Sequence, residues 1–116
     1  IERCFAYVEA GVDGIMIHSK EKTGEDIKEF CEKFRARYAD IPIVVVPTTY
    51  NQFTEEELAS WGINVVIYAN HMLRASYPAM MNCAKSILTH GRSKEASAEY
   101  CMPIKEILEL IPSTHK

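Results

Sequence analysis

Three short stretches of the 116-residue sequence carry the side chains best suited to chemistry, and each follows directly on an apolar run. His18, Ser19 and Lys20 follow "GIMI", Thr48, Thr49 and Tyr50 follow "IVVVP", and Asn70 and His71 follow "VVIYA". An imidazole can bind or release a proton near neutral pH, and hydroxyls both donate and accept hydrogen bonds. His18 is therefore the candidate for catalysis, with Ser19 and Thr48 as candidate substrate contacts. Plainer readings exist for each. His18 can be a core histidine bonded to backbone, Ser19 and Lys20 can be solvated loop residues, and Thr48 and Thr49 can be turn residues after Pro47. Asn70 is explained by capping, and His71 by a solvent-facing first helical turn. The residues alone leave both sets of readings open.

The elements that would position these groups repeat one pattern three times. Residues 12–18 form an apolar run; Thr23 with Asp26 reads as a capping box, and Ile27, Phe30, Cys31, Phe34 and Tyr38 then recur as one helical stripe. In "IPIVVVP" successive positions are apolar and β-branched, as in strands covered on both faces. Thr54 with Glu57 is a second capping box, and Gly62 closes a short helix. "INVVIYA" is the third strand, Asn70 caps the next helix, Pro78 is expected to kink or break it, and Gly91 ends it. The polar stretch "RSKEASAEY" leads to Pro103 and a last amphipathic turn with Ile104, Ile107, Leu108 and Ile111 on one side. Ahead of all this, Cys4, Phe5 and Val8 lie at helical spacing before Gly11, so the sequence opens inside a helix.

Strand, loop and helix in repetition imply a parallel sheet with right-handed crossovers. A doubly wound nucleotide-binding sheet would show a glycine-rich turn after its first strand, whereas Gly11 and Gly14 precede it here. A β/α barrel takes about 250 residues and eight units. The expected fold is thus the C-terminal part of a β/α (TIM-type) barrel, about three strand-helix units over residues 1–91. Residues 92–116 are expected as a linker and C-terminal helical extension packing on the barrel or a neighbouring subunit. Both barrels and doubly wound sheets present ligands at the carboxyl ends of their strands, which is where the polar triplets fall.

Composition narrows the function classes. A net charge of −3 with scattered Lys and Arg gives no footprint for nucleic acid. No apolar stretch approaches the roughly 20 residues of a membrane span. Cys4, Cys31, Cys83 and Cys101 include no CxxC pair, which suits reduced thiols in a cytoplasmic protein, with Cys31 in a helix core. None of the three strands ends in Asp or Glu, so any metal is expected to take its ligands upstream of residue 1.

In that order, "AGVDGIMIHSK", "PIVVVPTTYN" and "VVIYANHMLRASYPAM", with "CMPIKEILELI" behind them, resemble the isocitrate lyase and phosphoenolpyruvate mutase superfamily, and within it the mutases. The resemblance implies a β/α barrel enzyme of phosphonate biosynthesis that interconverts phosphoenolpyruvate and phosphonopyruvate. It also implies Mg2+ held by aspartates of earlier strands. His18 matches the family's active-site histidine, which would hydrogen-bond the migrating phosphoryl group or the pyruvyl carboxylate. A homo-oligomer exchanging its last barrel helix between subunits is implied too. Phosphonopyruvate hydrolase and a methylisocitrate or isocitrate lyase-type enzyme are the neighbouring alternatives. A non-catalytic assembly segment is the alternative from another class, since the family's arginine, aspartates and gating loop have no counterparts in this chain.

Overall fold

Alternation along the strands decides which face of the sheet is covered. In the computed structural model, which describes residues 1–110, β1 (Ile15–Ile17), β2 (Ile43–Val45) and β3 (Val65–Val66) form one parallel sheet in the order β1-β2-β3. Ile15 pairs with Ile43 and Ile17 with Val45, while Val45 pairs with Val66. Successive side chains point to opposite faces, so Ile15, Ile17, Ile43, Val45 and Val66 share one face. Met16, Val44 and Val65 share the other.

The first face is the core. Ile15, Ile17, Ile43 and Val45 pack with Ile27, Cys31 and Phe34 of α2 (Glu25–Arg35) and Leu58 of α3 (Glu55–Ser60), and Cys4, Phe5 and Val8 of α1 (Glu2–Glu9) close the cluster. The stripe expected from Ile27 to Tyr38 is the stripe that packs. Phe34 is fully buried, with the rings of Phe5, Phe30 and Tyr38 centred 5.4–6.0 Å away. The opposite face is open, with Met16 63% and Val65 45% exposed. Strands expected to be covered on both faces are therefore covered on one, because the helices of this unit all lie on the Ile15 side. The apolar residues of the other face have nothing among the described residues to pack against.

Arg35 fixes the starts of β2 and β3. Its Nε donates to the Gly62 carbonyl at 3.0 Å and its Nη1 to the carbonyls of Tyr38, Ala39 and Ile41 at 3.1, 3.0 and 2.8 Å. Nη2 reaches Asn64 Oδ1 at 2.7 Å, and the same oxygen accepts the Ile43 N–H at 2.9 Å. One guanidinium thus satisfies the carbonyls that the end of α2 and the following turns leave unpaired.

The capping expectations divide. Thr54 and Glu57 form a complete capping box, with the Glu57 N–H on Thr54 Oγ1 at 3.2 Å and the Thr54 N–H on Glu57 Oε2 at 2.8 Å. The box expected at Thr23 and Asp26 is absent: α2 starts from Gly24 at φ 73°, and the Asp26 carboxylate accepts from the Ser19 hydroxyl instead. A nearby loop hydroxyl outcompetes the local cap.

The chain divides into two compact units, residues 1–69 and 70–116. In the second, α4 (His71–His90) packs against α5 (Lys94–Glu99), and α6 (Ile104–Leu110) follows. Pro78 was expected to kink or break α4, and no break occurs; it lies within a continuous helix. The missing N–H costs about 3 kcal/mol in a helix interior, but the Arg74 carbonyl it would have bonded belongs to an exposed residue that water can reach. The stretch after Gly91, expected as a linker, contains α5, anchored by the buried Ala96. Ile104, Ile107 and Leu108 of the expected final stripe are exposed on α6, and Ile111 lies outside the described residues.

Candidate functional site

The three parallel strands leave the sheet at one edge, so the segments after Ile17, Val45 and Val66 stand side by side. His18 is the first residue past β1. By alternation it falls on the Met16 side, the face without helices, and it is exposed. His18 and Met16 also line an open recess of about 710 Å3 that wraps the β1 edge of the sheet, taking in core-face Ile17, Cys4 and Tyr7 of α1, and Asp26 and Phe30 of α2. Among the described residues nothing packs this histidine into a core.

Ser19 turns to the other side. It is 6% exposed, its hydroxyl donates to Asp26, and its oxygen accepts the Glu21 N–H at 2.9 Å. Asp26 Oδ1 also accepts the Ile27 N–H at 2.9 Å. The Ser19 hydroxyl is thereby committed to fastening the loop after β1 onto the start of α2, which holds the adjacent His18 backbone. Sequence reading missed Asp26 as part of this arrangement, since its position suggested only a cap. Lys20 is exposed.

At the end of β2, Thr48 is half-buried and its N–H donates to the Val46 carbonyl at 2.8 Å, a tight turn. Tyr50 is fully buried in the core cluster, and its hydroxyl has no hydrogen-bond partner among the described residues. Burial, with the charge of Asp26 next, pushes its pKa up to about 12. Beyond β3, Tyr68 donates to Glu55 Oε1 at 2.7 Å, linking this strand end to the first turn of α3. Asn70 is the N-cap residue of α4 without a side-chain cap bond, and His71 is half-buried rather than solvent-facing.

Among the described residues, no group of three or more His, Cys, Asp or Glu side chains is placed to hold a metal ion. Asp26, a carboxylate lining the same recess as His18, is occupied by Ser19 and the Ile27 amide. These residues do not fit a Mg2+ site. No described helix is long and apolar enough to cross a membrane.

Comparison with known proteins gives consistent matches. The family profile described as phosphoenolpyruvate phosphomutase matches residues 1–88. A phosphonopyruvate hydrolase of Variovorax sp. (strain Pal2) is 38% identical over 112 residues, 95% of this chain and 37% of the relative. The crystal structure of a phosphoenolpyruvate phosphomutase from Streptomyces platensis subsp. rosaceus superposes with a TM-score of 0.82 at 35% identity, covering 94% of this chain and 37% of that one. A phosphonopyruvate hydrolase structure in complex with oxalate and Mg2+ gives 0.80 at 38% identity, with 94% and 38% covered. The chain spans little more than a third of the length of these relatives, and its three strand-helix units are part of their α/β barrel.

Proposed function

Because this chain belongs to the phosphoenolpyruvate phosphomutase family, we propose that it is part of an enzyme interconverting phosphoenolpyruvate and phosphonopyruvate. The observation that carries this reading is the place of His18, exposed past β1 on the helix-free face of the sheet and level with the ends of β2 and β3. In a β/α barrel that position opens on the catalytic mouth. The reaction breaks a P–O bond and forms a P–C bond within one molecule, and its loose transition state spreads negative charge over the phosphoryl oxygens. His18 would donate a hydrogen bond to that charge or to the pyruvyl carboxylate. Thr48 would contribute a hydroxyl from the neighbouring strand end. Ser19 would act as a positioning residue, through the Asp26 contact that fixes the backbone beside His18.

Mg2+ is proposed for the whole enzyme, supported by the ion named with oxalate in the hydrolase structure. Its ligands would lie outside the described residues, and the 116-residue chain alone is expected to be inactive. A homo-oligomer that exchanges its last barrel helix would suit the exposed Ile104, Ile107 and Leu108 of α6. A cytoplasmic, reducing location would suit the unbridged cysteines.

The hydrolase is the second reading, favoured by the 38% identity to the Variovorax protein. Phosphorus NMR of the full-length enzyme supplied with phosphonopyruvate and Mg2+ separates the two. A mutase gives phosphoenolpyruvate; a hydrolase gives inorganic phosphate and pyruvate. In either case His18→Asn should lower kcat/KM by about 10²–10³-fold, the range for one lost transition-state donor, with unchanged circular dichroism. Full activity in that variant would remove His18 from the mechanism.

A further inference from the structure

Two of the free cysteines stand together in the second unit. Cys83 lies within α4 and Cys101 just past α5, and their sulfurs are 3.7 Å apart. Cys83 is half-buried, Cys101 is exposed, and both are thiols. A disulfide needs about 2.0 Å between sulfurs, a gap that side-chain rotation can close where the two thiols already touch. Cys31, by contrast, is fully buried. The hydrogen bond between the pair raises the pKa of Cys83 and keeps its thiol protonated. Exposure makes Cys101 the sulfur that a reagent in solution reaches first.

We propose that Cys83 and Cys101 form a reversible redox staple, oxidised by a low-molecular-weight disulfide, which locks α5 and its flanking turns against α4. Cys101 thiolate attacks one sulfur of the small disulfide and expels one small thiolate, leaving a mixed disulfide on Cys101. Cys83, on losing its proton, attacks the Cys101 sulfur and expels the second. Two protein thiols are oxidised to one disulfide, and one small disulfide is reduced to two thiols. The closed loop spans residues 83–101 and contains all of α5. The staple tightens the packing of α4 on α5 across Gly91.

The test is incubation of the full-length protein with oxidised glutathione, followed by alkylation of remaining thiols and mass spectrometry. The expected result is the loss of two free thiols, a mass lower by two hydrogens before alkylation, and a tryptic crosslink joining the Cys83 and Cys101 peptides. Cys83→Ser should instead stop at a glutathione adduct on Cys101. Amide hydrogen exchange in α5 should slow in the bridged form and recover on adding dithiothreitol. A wild-type chain that stops at glutathione adducts, links to Cys4 or joins chain to chain would overturn the proposal. So would a bridge that leaves α5 exchange unchanged.

Discussion

Burial of Cys31 and Tyr50 ties the stability of the first unit to their protonation. Desolvation raises the Cys31 thiol from 9.0 to about 11, with Arg35 opposing, and raises the Tyr50 phenol from 10.0 to about 12. Across the interval from pH 9.0 to about 12 the unfolded chain has released protons that the folded chain retains. Stability is therefore complete below the unfolded values and is lost as pH rises through the folded ones. Thermal melts of the full-length protein should show a plateau near neutrality and a falling midpoint above about pH 9. Tyr50→Phe should reduce the fall and cost little at neutral pH, because the hydroxyl it deletes has no partner among the described residues. A midpoint that holds steady through the alkaline range would refute both assignments.

Elements depend on a few backbone positions that a side chain could not occupy. Gly24 starts α2 at φ 73°, and a Cβ there would stand 2.4 Å from the Phe53 ring. Left-handed backbone costs an alanine about 1–2 kcal/mol, and crowding a packed ring adds roughly 1–3 kcal/mol. Gly24→Ala should lower the stability of the first unit by about 2–4 kcal/mol, read from urea midpoints; a change under about 1 kcal/mol would mean that Phe53 moves aside freely. At this scale the sequence was a good guide wherever pattern is local. The stripe of α2, the Thr54–Glu57 box and the parallel order follow from spacing and chemistry within one unit. The capping site of α2 was misread because Ser19, seven residues upstream, claims Asp26. The continuity of α4 through Pro78 was missed because the carbonyl left unbonded belongs to an exposed residue, and the helix at Lys94–Glu99 because a short polar run is a weak helix signal. His18 was legible as the residue after a buried run. The engagement of Ser19 was not, since it depends on a contact between elements.

The whole molecule presents a sheet whose outer strands, β1 and β3, have no strand partner among the described residues, and whose Met16 face is apolar and open. Unpaired edges and uncovered apolar surface favour pairing with other chains. The isolated 116-residue chain should associate as its concentration rises, visible as increasing sedimentation coefficients, and should melt without a sharp transition. A monodisperse monomer with a cooperative, high melting point would show that these surfaces are satisfied within one chain. The clasp made by Arg35 has a different kind of consequence. Its acceptors are the main-chain oxygens of Tyr38, Ala39, Ile41 and Gly62 together with the amide of Asn64, so it is indifferent to which side chains occupy positions 38, 39 and 41. In saturation mutagenesis scored by soluble yield, Ala39 should accept most replacements while Arg35, including Arg35→Lys, accepts almost none. Evolution can redecorate position 39 freely while the guanidinium beneath it stays fixed.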